Sequence, residues 1–230
     1  MLNISGMKIS TLRANFKFPR GFVFCATTHK IYLPFERVGS KYAFPKFEEE
    51  YETPWIMNDY SGEEILNARW DTLLQGKGDI DVFPTMLTRC PYERFISAFE
   101  VMVFADGHWP EELFSFQMRK VYNLESYLDL NPYNTSEILN CFNLFVQLIC
   151  RNNLDYNFIN PITDNFKNLD VLDEIEIIDL YEFTKTSHNK NFVKEKVTTI
   201  TKQEYFADSI TKALFDKRFA QDIIRFGYSL

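Results

Sequence analysis

The octapeptide Asp81-Val-Phe-Pro-Thr-Met-Leu-Thr88 runs straight into Arg89-Cys90-Pro91, and this passage constrains the fold more than any other stretch of the chain. Its apolar and β-branched residues read as a buried strand. Pro84 is an unusual guest there, because proline donates nothing to a ladder. Pro91 has a preset φ and no N–H, which suits the first turn of a helix. A helix is therefore predicted from Pro91 to about Phe104, with Phe95, Ile96, Phe99 and Met102 on one side.

The same alternation recurs along the chain. Residues 21–26 and 30–35 are short β-rich runs separated by Thr27-Thr28-His29, either a hairpin or an edge strand feeding the second run. Residues 41–51 read as helical, with Pro45 tolerated only near the first turn. Ser61-Gly-Glu-Glu64 reads as an N-cap with an acidic first turn, opening a helix to about Leu74. Ser136 reads as the cap of a helix over 137–150 that is apolar nearly all round, and so buried on most sides. Residues 203–226 read as an amphipathic outer layer. Strands alternating with helices predict an α/β fold with a mainly parallel central sheet flanked by helices. The 230 residues (1–230) are enough for a single domain of that kind. Ligands in such sheets bind at the carboxyl ends of the strands.

A net charge of −7 argues against a nucleic-acid partner, which needs a basic face, while leaving room for a small basic pocket. With 23 Phe, the core is expected to be bulky and aromatic. Cys25, Cys90, Cys141 and Cys150 form no CxxC pair, and Cys141 and Cys150 lie about 900° apart on one predicted helix, on opposite sides. His29, His108 and His188 have no metal spacing, so no metal is expected. The cysteines read as free thiols of a reducing compartment. Residues 1–16 contain no apolar leader, and no run reaches about 18 apolar residues, so a cytoplasmic protein without a membrane span is expected.

Two segments carry chemistry. In Tyr32-Leu-Pro-Phe-Glu-Arg-Val-Gly-Ser40 a strand enters a turn holding one glycine, a cation and a hydroxyl, followed by a predicted helix. Glycine permits close backbone approach, and successive N–H groups with Arg37 favour an anion. The spacing is not that of a Walker A loop, and the segment also reads as a plain strand–turn–helix connection. In Thr88-Arg-Cys-Pro-Tyr-Glu-Arg-Phe-Ile-Ser97, Arg89 leaves a strand end and Ser97 points back from the helix, a pairing that suits a phosphate. Alternatively, Arg89 makes a structural ion pair while Glu93 and Arg94 are solvated.

Arg89-Cys-Pro-Tyr-Glu-Arg-Phe-Ile-Ser-Ala-Phe99 resembles the Arg-Asp-Pro-Phe-Glu-Arg-Leu-x-Ser-Ala-Phe/Tyr segment of carbohydrate-type sulfotransferases, with Cys90 where Asp or Asn is usual. Residues 29–40 are similar to that family's strand ending in Pro-Lys-x-Gly-Ser/Cys-Thr/Ser. Val38, Gly39 and Ser40 match it, whereas Arg37 stands at the catalytic lysine and Glu36 at the proline. The end, Phe219-Ala-Gln-Asp-Ile-Ile-Arg-Phe-Gly-Tyr228, resembles the family's closing Asp-Phe-x-x-Phe-Gly-Tyr. These matches span residues 22–228 in order, thinly in the middle.

The resemblance implies a P-loop-kinase-like fold and transfer of a sulfuryl group from 3′-phosphoadenosine-5′-phosphosulfate (PAPS) to a hydroxyl acceptor such as a carbohydrate, leaving adenosine 3′,5′-bisphosphate (PAP). It implies Arg89 and Ser97 on the 3′-phosphate, and Arg37, Val38, Gly39 and Ser40, with Lys41 beside them, on the 5′-phosphosulfate. Between the segments lie the carboxylates Asp59, Glu63, Glu64 and Asp71, from which Glu63 is taken as the candidate general base. Asn157 stands where the family has a histidine, and His108 is the other candidate. A nucleotide-binding protein without turnover, a nucleotide kinase and a purely structural interaction domain are the competing readings.

Overall fold

Two compact units, Met1–Arg89 with Asn160–Lys190 and Cys90–Ile159 with Asn191–Leu230, divide the computed structural model. Within them the structure describes residues 6–17, 22–35, 38, 43, 47, 54–56, 78–104, 134–152, 159–186 and 198–230. Most of the predicted 41–51 helix and all of the predicted helix opening at Ser61 lie outside the described residues.

The first unit is built on one sheet of strands β1 (Met7–Lys8), β2 (Val23–Cys25), β3 (Lys30–Leu33), β4 (Pro54–Ile56), β5 (Asp81–Thr88) and β6 (Glu176–Asp179), in the order β1-β5-β3-β2-β4 with β6 also paired to β5. Helix α1 (Ile9–Asn15) follows β1 directly, and α4 (Leu180–Thr186) follows β6. The α/β class is as expected, but the mainly parallel sheet is corrected to a mixed one. Of the five pairings among the described residues, β1–β5, β2–β3 and β2–β4 are antiparallel, and only β3–β5 and β5–β6 are parallel. The cause is local. Residues 26–29 turn β2 straight back into β3, with His29 at φ 58°, and so short a link permits only an antiparallel neighbour.

Pro84 survives in the middle of β5 for a reason legible in the register. Phe83 N–H donates to the His29 carbonyl on the β3 side, so alternation turns the Pro84 nitrogen to the opposite edge. There β1 reaches only as far as Val82, and β6 begins only at Thr85. The missing N–H therefore falls in the gap between two partners and costs no ladder bond. The unit's core is aromatic, as expected. Tyr32 stacks on Phe47 at 4.1 Å and Phe47 on Phe183 at 5.5 Å, while Phe16 meets Phe35 and Phe166 at 5.6 and 4.9 Å.

The second unit is helical among its described residues: α2 (Pro91–Phe104), α3 (Thr135–Asn152), α5 (Lys202–Tyr205), α6 (Ser209–Arg218) and α7 (Ala220–Phe226). Pro91 opens α2 as predicted, and the Cys90 carbonyl accepts the N–H of Arg94 at 2.9 Å. Phe95 sits at the centre of the core, its ring 5.1–6.0 Å from those of Phe142, Phe145, Phe215 and Phe219. The cap of α3 is Asn134, whose Oδ1 accepts Glu137 N–H at 3.4 Å, and not Ser136. Nor is α3 apolar nearly all round: Ser136, Glu137 and Asn140 form an exposed stripe.

The C-terminal layer is three helices, and it supplies Tyr205, Phe206, Phe215 and Phe219 to the core and does not merely cover it. Thr201 and Glu204 form a reciprocal capping box on α5. Asp208 caps α6, its Oδ1 accepting Thr211 N–H at 2.7 Å, and Gly227 closes α7 at φ 69°, a left-handed conformation glycine adopts freely. The hydrogen bonds from Thr211 hold the Asp208 carboxyl below its usual range. A depressed carboxyl stabilises the fold above the ordinary carboxylate range and loses that contribution as acid protonates it. Asp208→Ala is accordingly expected to cost about 1 kcal/mol near neutral pH in denaturant unfolding. The gap from wild type closes as pH falls through the carboxylate range; a gap that persists in acid would assign the loss to something other than the cap.

Candidate functional site

The parallel trio β3, β5 and β6 sets the geometry of the site in the first unit. Leu33 registers with Met86, and Thr88 with Asp179, so the three carboxyl ends lie side by side on one edge of the sheet. The chain leaving β3 leads through Pro34 and Phe35 to residues 36–40, and the chain leaving β5 reaches Arg89 at once. The two segments singled out in the sequence thus start from adjacent strand ends. At the third end, Asp179 turns back onto α4, its Oδ1 accepting Tyr181 N–H at 2.8 Å and Glu182 N–H at 3.4 Å.

Val38 is fully buried and Arg89 half-buried. Arg37, Gly39, Ser40, Lys41 and Glu63 lie outside the described residues, as do Asp59, Glu64, Asp71, His108 and Asn157.

In the second unit, Ser97 is half-buried on the stripe of α2 that also carries Glu93 and Glu100. One turn beyond Ser97, Glu100 Oε1 accepts the hydroxyls of Thr198 at 2.8 Å and Tyr205 at 3.2 Å. Burial pushes the Tyr205 phenol well above its usual range, and the Glu100 charge adds to the effect. Sequence reading missed this cluster, because nothing local links Glu100 to residues so far along the chain.

Arg94, read as solvated in one alternative, is corrected: it is buried and pairs with the equally buried Asp222, Nη1 to Oδ2 at 3.7 Å. That is an ion-pair distance, longer than a hydrogen bond. Burial of Arg94 follows from the helical period, since positions 91, 94, 95 and 98 share the inward face of α2.

Cys90 begins the second unit. The ammonium of Lys202 lies 3.9 Å from its Sγ and donates to the Ser229 carbonyl at 3.2 Å. Cys25, Cys90, Cys141 and Cys150 are free thiols. Burial raises Cys141 and Cys150 to about 12, so neither serves as a nucleophile near neutral pH. Cys25 titrates at about 7: burial raises it, but hydrogen bonds from Thr27 and Thr28 outweigh that.

Among the described residues no helix is long and apolar enough to cross a membrane. No protein-family model, curated protein or solved structure matches the chain.

Proposed function

We propose that this chain is a sulfotransferase of P-loop-kinase-like fold that moves the sulfuryl group of PAPS onto a hydroxyl, with a carbohydrate or a small molecule as acceptor. The observation that carries the reading is the parallel pairing of β3 with β5, which starts the Arg37-bearing segment and Arg89 from neighbouring strand ends on one sheet edge. Arg89, half-buried at such an end, has the fixed charge and forked donors that suit a phosphate. A second observation supports the resemblance. Arg94 of the Arg89–Phe99 segment and Asp222 of the closing segment, far apart in sequence and both matching positions of the family's pattern, form a buried pair.

In this reading the co-substrate supplies an activated sulfuryl group, and catalysis is positioning plus electrostatics. The S–O bond to the 5′-phosphate breaks as one forms to the acceptor oxygen. Arg37, with Val38, Gly39, Ser40 and Lys41, holds the charge growing on the 5′-phosphate. Arg89 and Ser97 take the 3′-phosphate, and Glu63 receives the acceptor's proton. No metal is required. A second reading, nucleotide binding without turnover, is favoured by Arg37 in place of lysine, because arginine holds charge but gives up no proton.

Turnover of labelled PAPS over a panel of hydroxyl acceptors tests the proposal. Acceptor-dependent transfer is expected, slowed about a hundredfold or more by Arg37→Ala. PAP binding with no transfer to any acceptor would leave only the second reading.

A further inference from the structure

We propose that Cys90 and Lys202 form an oxidative cross-link, a reversible S–N bond made when a peroxide oxidises the thiol; this modification is independent of the function proposed above. Both residues belong to the second unit, and the ammonium of Lys202 lies 3.9 Å from Cys90 Sγ. Helix ends fix both backbones. Cys90 precedes Pro91 at the head of α2, and its carbonyl accepts Arg94 N–H at 2.9 Å. Lys202 opens α5 behind the Thr201–Glu204 capping box, and its carbonyl accepts Phe206 N–H at 3.3 Å. The core holds the two elements together, with the ring of Tyr92 5.1 Å from that of Phe206. Lys202 Nζ also donates to the Ser229 carbonyl at 3.2 Å, which tethers it beside the sulfur.

The other thiols are less suited. Cys25 and Cys141 are buried, and burial pushes Cys150 to about 12, whereas Cys90 is half-buried and open to a small oxidant. In the first step the Cys90 sulfur attacks one peroxide oxygen. An S–O bond forms, the O–O bond breaks, the sulfur gives up two electrons and water leaves, so the product is a sulfenic acid. In the second step Lys202, having released one proton to solvent, attacks that sulfur through Nζ. An S–N bond forms, the S–O bond breaks, and the departing hydroxide takes the surplus proton of the nitrogen and leaves as a second water. Sulfenic acids condense with thiols or with a neighbouring nitrogen in this way, and here the nitrogen is already in place, so its attack is intramolecular. Two equivalents of a thiol reductant break the S–N bond, restore both side chains and leave as a disulfide.

The experiment treats the folded protein with hydrogen peroxide, alkylates the remaining thiols, and reads the proteolytic peptides by mass spectrometry with and without dithiothreitol. In wild type the peptide carrying Cys90 is expected to be joined to the one carrying Lys202, at a mass lighter than their sum by two hydrogen atoms, and dithiothreitol should part them; this arm needs no variant to fold. Lys202→Arg keeps the charge and the donors but offers no nucleophilic amine, so the link should disappear and Cys90 should stop at a sulfenic acid that dimedone traps. Cys90→Ser should give neither the link nor a dimedone adduct at that position. Peptides that stay separate in wild type, that join at another mass, or that still join in Lys202→Arg overturn the proposal, whichever way the sulfotransferase reading is decided.

Discussion

Asp222→Ala lowers the unfolding free energy by about 3–5 kcal/mol, because it removes a buried counter-charge of Arg94 from the core of the second unit. Side-chain exposure is 3% for Arg94 and 1% for Asp222, so water cannot replace the lost partner. Arg94→Met should cost a similar amount by removing the opposite charge beside the buried Asp222 carboxylate. The double variant Arg94→Met/Asp222→Leu removes both charges and should regain most of the loss, as apolar replacements of buried pairs commonly do. That non-additivity, read from urea unfolding of all four proteins, is the signature of the pair. A loss below about 1 kcal/mol in Asp222→Ala would mean that Arg94 is balanced elsewhere and that the tie between the two resembling segments is incidental.

The sequence made the central elements legible where one residue forces the geometry. Pro91 can open a helix but not continue β5, and both Asp81–Thr88 and Pro91–Phe104 fall where the reading put them. It was less informative where strands are short. β1 has two residues and β4 three, too few for a period to register, so these antiparallel members escaped and the parallel pairing was overestimated, whereas the β2–β3 hairpin is one of the two readings of the runs 21–26 and 30–35. Caps were ambiguous between neighbours: Asn134 and Ser136 are both good cap residues, and only the coordinates show which oxygen meets the Glu137 N–H.

At the candidate site the sequence located Arg89 at a strand end and Ser97 on the following helix, and both lie on those elements. The inward turn of Arg94 lay in the helical period of α2, but its partner Asp222, arriving from the far end of the chain, did not show. The Lys202–Cys90 contact was hidden too, because 112 residues separate the two in sequence.

The second large effect is on ligand binding, and it bears on the central claim that neighbouring strand ends present Arg37 and Arg89 to one doubly phosphorylated nucleotide. PAP at a hundred times its dissociation constant should raise the unfolding free energy by about 2.7 kcal/mol. Removing the Arg89 fork forfeits a charge-assisted phosphate contact and should weaken binding up to about a hundredfold. At the same PAP concentration the stabilisation of Arg89→Ala would then fall to about 0.4 kcal/mol. The direct measurement is therefore thermal and chemical unfolding of wild type and Arg89→Ala across a PAP titration into the millimolar range. The account predicts a saturable shift in wild type that nearly vanishes in the variant; no shift in wild type, or an equal shift in both, would contradict it.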